Sequence, residues 1–242
     1  MTQNIYDDPD FFAGYSQLAR SKKGLDGAPE WDALRALLPN LQGLNVLDLG
    51  CGYGWFSRWA TQQGAQQVLA LDVSERMLAK ARASEPTQGI TYLRADLEHL
   101  SLDTERFDLA YSALAFHYVE HLPRLFDTLF AALKPGERLV FSIEHPIYMA
   151  SRHADWLTLP DGSRYWPVSH YQNEGLRQTD WLAPGVVKYH RTQGNLLNAL
   201  IRAGFSLQHI EDWGPSPEQL AAQPALNDEM HRPMMLLVSA NK

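Results

Sequence analysis

The segment "VLDLGCGYGWF", Val46 to Phe56, sets three glycines, Gly50, Gly52 and Gly54, directly behind an acid-bearing apolar run. Glycines at alternate positions let backbone N–H groups approach a ligand with no Cβ in the way. A helix starting there would aim its N-terminus at the same ligand. A phosphate-gripping loop needs Gly-Lys-Ser/Thr at its end, and this loop has none. A dinucleotide fingerprint needs G-x-G-x-x-G/A; counted from Gly50 the third place is Trp55, and from Gly52 it is Ser57. What remains is D-x-G-x-G-x-G, Asp48 to Gly54. Asp48 would repel phosphate, yet it can accept a hydrogen bond from an ammonium group. "LALDVSERML" then places Asp72 at the end of the next apolar run, where an acid takes ribose hydroxyls. The two acids suit a ligand with a ribose end, an amino-acid end and no pyrophosphate. Blander roles stand beside these: Asp48 as a helix cap, Asp72 as the N-terminal acid of a helix, Cys51 as a small space-filler and Met77 as core.

Regular elements must hold this loop. Between residues 43 and 145, apolar runs at "NVLDL", "QVLAL", "ITYL", "FDLAYS" and "RLVFSI" alternate with helical candidates at Gly54 to Gln63, Ser74 to Ala83 and Pro123 to Leu133. Gly64 ends the first helix, Ser74 caps the second, and "KPGE" stops the third. The alternation predicts an α/β fold with a parallel sheet covered on both faces. Residues 1–42 read as a helical lid: "PDFFAGYSQLAR" is aromatic-rich, and "APEWDALRALL" sets Trp31, Leu34, Leu37 and Leu38 on one face. Residues 146–190 break the rhythm, with turn signals at Asp161-Gly162 and Pro184-Gly185 and with cap-type aromatics Tyr148, Trp156, Tyr165, Trp166 and Trp181. This insertion is expected over the strand ends, where open α/β sheets bind ligands. In 191–242, Leu196, Leu197, Leu200 and Ile201 form a helix stripe ending at Gly204, and "FSLQHIEDW" and "MMLLVSA" read as closing strands.

Composition narrows the function. The 242 residues, 45% hydrophobic and 20% charged, suit one folded domain. A net charge of −7 and no Lys/Arg cluster argue against a nucleic-acid surface. One cysteine, Cys51, excludes an intrachain disulfide. With no bilayer-length apolar run and an acidic N-terminus, a cytoplasmic protein, monomer or homodimer, is expected.

From Leu44 to Ile143 the sequence resembles class I S-adenosylmethionine-dependent methyltransferases of the UbiE/methyltransferase-11-like group. "VLDLGCGYG" is similar to the family's first motif and "LALDVSERML" to its second. "LRADLEHL" resembles the adenine-site motif, "FDLAYSALAFHYVEH" the fourth-strand motif, and "LKPGERLVFSI" the entry to the fifth strand. The resemblance implies a Rossmann-like seven-stranded sheet of order 3-2-1-4-5-7-6 with the last strand antiparallel. It implies S-adenosylmethionine as donor and S-adenosylhomocysteine as product. Gly50, Gly52 and Gly54 would pack under the methionine part, and Asp48 would orient its ammonium group. Asp72 would bind ribose, with Val73 and Met77 beside adenine, while Asp96 and backbone at Leu97 read the ring; Glu98 is a rival for Asp96. Ser112 to Ala115 would lie near the sulfonium.

Methyl transfer mainly needs an acceptor atom held at attack distance in a site that excludes water. Hydroxyl acceptors also need a proton removed. Candidate bases are His145 and Glu144 in "SIEHPIY", and His117 in "FHYVEH". His117 and His121 have i, i+4 spacing, but no third ligand follows and no metal site is expected. His190 and Arg191 precede the last helix; Arg191 would grip an acidic substrate or pair with Glu144. Tyr15, Trp166 and Tyr171 would face an apolar acceptor or the sulfonium, or form lid core. The expected activity is methylation of an O or N atom of a small, partly aromatic metabolite. RNA or protein methylation, a non-catalytic donor-binding module and a nicotinamide oxidoreductase are the alternatives.

Overall fold

The computed structural model describes residues 3–85, 87–151 and 155–242; residues 152–154 of the expected cap lie outside the described residues. The core sheet is built from β1 (Asn45–Leu49), β2 (Gln67–Asp72), β3 (Ile90–Arg94), β4 (Phe107–Ala113) and β5 (Leu133–Glu144), all parallel. Two later strands, β10 (Ser206–Asp212) and β11 (Met235–Asn241), extend it in the order β10-β11-β5-β4-β1-β2-β3, with β11 antiparallel to both neighbours. This is the topology expected from the resemblance.

Period-two alternation divides the core. Leu47 and Leu49 of β1 face one side of the sheet, with α6 (Leu122–Ala132) and α8 (Gln193–Arg202). Val46 faces the other, with α3 (Trp31–Ala36) and α4 (Trp55–Gln62). α5 (Glu75–Arg82) covers Ala70 of β2 through Leu78 and Ala81. Ser74 caps α5 by accepting from the Met77 N–H at 3.1 Å. In α8, Leu196, Ala199 and Leu200 are buried, but Ile201 is 53% exposed; the inward stripe is one position narrower than its apolar residues suggest.

Two local differences from expectation have simple causes. β5 begins at Leu133, so "KPGE" does not stand outside the sheet; it forms an excursion where the register to β4 jumps from Leu133 to Arg138. The 146–190 insertion is not free of regular structure. It holds α7 (Pro146–Ala150) and two antiparallel hairpins, β6 (Leu157–Thr158) with β7 (Arg164–Tyr165), and β8 (Gly175–Trp181) with β9 (Ala183–His190). The second hairpin reverses at Leu182, with φ +61°, rather than at Pro184-Gly185. A charged residue at a buried β9 position, Lys188, masks the alternation that marks such a strand. At the N-terminus, α1 (Pro9–Tyr15) and α2 (Ala19–Lys23) precede α3, and Asp8 caps α1 through the N–H groups of Asp10 and Phe11. Among the described residues no helix is long and apolar enough to cross a membrane.

Candidate active site

The loop after β1 is pinned to β2. Gly50 and Cys51 N–H groups both donate to the Leu71 carbonyl, at 2.8 and 2.9 Å. Gly50, Gly52 and Gly54 all have positive φ. A Cβ on Gly50 would strike Ala115, whereas one on Gly52 would enter open space, so the loop's open face is at Gly52. Gly54 caps α4 and packs against Tyr92.

Above this loop lies a chamber of about 400 Å³. It is lined by Gly50, Gly52, Asp72, Val73, Met77, Asp96 and Leu97. Its far wall carries His117, Tyr118, Glu144, Tyr148, Trp181 and Lys188. Tyr15 and Arg20 join it to a smaller pocket of about 90 Å³ that Asp48, Cys51 and Tyr53 line. The chamber thus runs from the ends of β1 and β2 to Tyr148, Trp181 and Lys188 of the 146–190 insertion.

Asp48 is 2% exposed, and its Oδ2 accepts from the Ser57 hydroxyl at 2.5 Å. Burial, opposed by that bond, raises its carboxyl to about 7. Asp72 accepts from Gly52 N–H at 2.8 Å and Ser74 N–H at 2.9 Å. Burial again outweighs these bonds and lifts it to about 6. Asp96 caps the short turn Leu97–His99 by accepting from the Glu98 N–H. Glu98, the rival acid, instead binds the N–H groups of Glu120 and His121 and the His121 ring, at 2.6 to 2.9 Å. His117 and His121 therefore serve different places. Burial raises the Cys51 thiol well above its ordinary value, so it stays protonated.

On the far wall, the Glu144 N–H donates to His117 Nδ1 at 3.4 Å, leaving Nε2 as the protonated nitrogen, 3.8 Å from Glu144 Oε1. Burial lowers His117 to about 4. It is a neutral ring with its protonated nitrogen beside a carboxylate, which does not suit a general base. Lys188 donates to Glu144 Oε1 at 2.5 Å. Tyr6, which also lines the chamber, joins its hydroxyl to that of Tyr118 at 3.1 Å.

Several expected site residues stand elsewhere. His145 does not reach the chamber: its Nδ1 accepts from Ile147 N–H at the start of α7, and its Nε2 bonds Asp212 at 2.8 Å. Arg191 does not pair with Glu144; it donates to the carbonyls of Tyr189, Val119 and Glu120. His190 is fully buried, its Nε2 donating to the Tyr171 carbonyl at 2.9 Å, while the Tyr171 hydroxyl accepts from Gln193 N–H. Trp166 donates to the Ile147 carbonyl and stacks on Tyr148, so it backs a chamber residue without lining the chamber. Ser112 is buried and ties β4 to β1 by donating to the Leu49 carbonyl at 2.8 Å; Ala113 to Ala115 line the chamber instead. Sequence reasoning missed Lys188 and Arg20. Lys188 stands two residues from His190 on the buried face of β9, and period-two spacing was its one available signal.

Residues 47–141 match the family described as "Methyltransferase domain". A crystal structure of an S-adenosylmethionine-dependent methyltransferase from Mesorhizobium loti is 58% identical, covers 90% of this chain and 100% of its own, and superposes with a TM-score of 0.87. An uncharacterized protein of Haemophilus influenzae is 33% identical over 99% of this chain and 97% of its own length. Malonyl-[acyl-carrier protein] O-methyltransferase of Pectobacterium atrosepticum is 42% identical over 46% of this chain and 43% of its own. The full-length likeness to a solved enzyme, on a sheet of this order with this glycine loop, shows that the chain belongs to the S-adenosylmethionine-dependent methyltransferases.

Proposed function

We propose that this enzyme transfers a methyl group to an O or N atom of a small, partly aromatic molecule held in the far half of the chamber. S-adenosylmethionine supplies a methyl group made electrophilic by a positively charged sulfur. The residues present fit that cofactor. Open space over Gly52 admits a ligand against the backbone, and buried Asp72 and Asp48 stand on either side of it. Asp72 would accept from the ribose hydroxyls on the lone pairs its two backbone donors leave free. Asp48 would accept from the ammonium group, and Arg20, at the junction of the two pockets, would face the carboxylate. Val73, Met77 and Leu97 would flank the adenine, and Asp96 would accept from its amino group.

The observation that carries the acceptor reading is the wall itself. Tyr6, Tyr118, Tyr148 and Trp181 line the half of the chamber beyond the residues that would hold the cofactor, an aromatic surface of the character of a small-ligand site. Aromatic faces exclude water from the attacking atom and favour a cationic sulfur. The test is transfer of labelled methyl from S-adenosylmethionine into fractionated cell extract, with mass identification of the product. Label in a low-mass fraction supports the proposal. Label that follows RNA or protein through nuclease and protease digestion would overturn it.

A further inference from the structure

The far wall contains a charge pair that is satisfied on one side only. Lys188 and Glu144 both line the chamber, with side chains 3% and 12% exposed. Lys188 occupies Glu144 Oε1, and His117 Nε2 lies 3.8 Å from the same oxygen. The second oxygen, Oε2, is buried without a hydrogen-bond partner. An unsatisfied buried acceptor costs about 1–3 kcal/mol, more when charged, and native proteins keep few of them.

Charge in this half is already balanced. Among the described residues lining this half, Lys188 is paired with Glu144; Arg20, paired with Glu30 at 3.0 and 3.1 Å, stands at the junction of the two pockets, on the side where the methionine carboxylate would lie. An anionic acceptor would meet no unpaired cation and would stand beside a carboxylate oxygen that lacks a proton donor. A neutral donor group meets the opposite situation.

We infer that Glu144 determines the acceptor class: Oε2 receives a hydrogen bond from an uncharged O–H or N–H group on an apolar, ring-sized molecule. The inference rests on the chamber being the acceptor site. Lys188 occupies Oε1 and so leaves Oε2, buried and without a donor, as the oxygen of the pair that a ligand's O–H or N–H would satisfy. Tyr118, Tyr148 and Trp181 supply the apolar surface for the ring. A carboxylate-bearing ring of the same size is rejected by like charge.

The test uses the full chain saturated with S-adenosylhomocysteine and two probes, phenol and benzoate, followed by ligand-observed NMR. Phenol is expected to bind and benzoate to bind more weakly. The double variant Glu144→Leu/Lys188→Met removes the acceptor oxygen without stranding a charge, and should weaken phenol by about tenfold or more. Glu144→Gln/Lys188→Met keeps a carbonyl oxygen at that place and should bind phenol within about threefold of the natural protein. Benzoate binding as tightly as phenol, equal phenol affinity in the two variants, or no phenol binding would each overturn the inference. Calorimetry with S-adenosylhomocysteine separates the two levels. If it fails to bind, the proposed function falls; if it binds and benzoate prevails, only the acceptor class falls.

Discussion

The Gly52 N–H donates to Asp72 Oδ2 across 2.8 Å, joining the glycine loop after β1 to the tip of β2. With the two bonds to the Leu71 carbonyl, it makes one rigid rim from two strand ends. The same glycine leaves the space in front of it open. Rim stiffness and ligand access are therefore separable by substitution.

Gly50→Ala and Gly52→Ala should fail in different ways. Both positions have positive φ, which costs an alanine about 1–2 kcal/mol. At Gly50 the new Cβ also strikes Ala115, so thermal stability should fall by about 3 kcal/mol in all. At Gly52 nothing is struck, and the loss should stay near the backbone cost alone. Calorimetry with S-adenosylhomocysteine should instead show Gly52→Ala weakened by about tenfold or more, because the methyl stands where the ligand would lie. Equal stability loss with unchanged affinity in both would contradict this division.

Asp48 and Asp72 should make the ligand-free fold less stable as pH rises. Burial lifts them from 3.8 to about 7 and about 6, so the folded chain holds their protons more tightly than the unfolded chain does. Their contribution is fully present below 3.8 and is lost as pH climbs through 6 to 7. Asp48→Asn should flatten that decline in denaturant titrations between pH 4 and 7. An ammonium group arriving beside Asp48 should expel its proton. Binding of S-adenosylmethionine at pH 6.5 should then release protons, read as a dependence of calorimetric heat on buffer ionisation enthalpy that Asp48→Asn abolishes.

His117 carries the opposite sign. Burial lowers it from 6.5 to about 4, so the neutral ring stabilises the fold above 6.5 and that contribution disappears as pH falls toward 4. The span corresponds to about 3 kcal/mol as an order of magnitude. His117→Gln, which retains an acceptor for the Glu144 N–H, should reduce the loss of stability between pH 6.5 and 4. An unchanged acid slope in that variant would show that His117 is not the group responsible.

How much of this was legible beforehand depends on the range of the interaction concerned. Gly50, Gly52 and Asp72 were readable because a tight strand-to-helix turn and a strand-end acid are set within a few residues of chain. The sheet order followed from resemblance across that same local core. The cap was not readable in this way. His145 stands beside Glu144 in sequence, yet its ring caps α7 and meets Asp212, 67 residues away. Lys188 resembles a surface charge in "VVKYH" until β9 folds it against Glu144, 44 residues away. Trp166 and Tyr171 read equally as ligand-facing aromatics or as lid core, and their polar atoms close local backbone gaps at Ile147 and Gln193. Residue type alone does not tell a chamber wall from its backing.

Arg232 should hold the cap to the C-terminal segment. Its guanidinium lies 4.7 Å from the Tyr148 ring, 4.5 Å from Trp166 and 5.6 Å from Trp156. It is 7% exposed, and desolvated contacts of this kind are worth about 2 kcal/mol. Arg232→Leu also strands Glu229, its buried ion-pair partner at 3.2 Å, so it should lower thermal stability by about 3–5 kcal/mol and speed proteolysis within 155–175 relative to the sheet. Unchanged cap proteolysis would show that the rings hold one another without the cation.

The pair Lys188–Glu144 should be costly to break and cheap to replace. Its desolvation is met by one short ion pair and leaves Oε2 unsatisfied, so the pair itself contributes little net stability. Lys188→Met alone leaves a buried carboxylate without its cation, and should cost about 3–5 kcal/mol in denaturant unfolding. Adding Glu144→Gln removes the stranded charge and should recover most of that loss. The double-mutant cycle should then give a coupling of about 2 kcal/mol or more, far above the value for exposed pairs. Additive losses would mean that Lys188 and Glu144 are each solvated independently when the chamber fills with water, and that no common charge pair forms its wall.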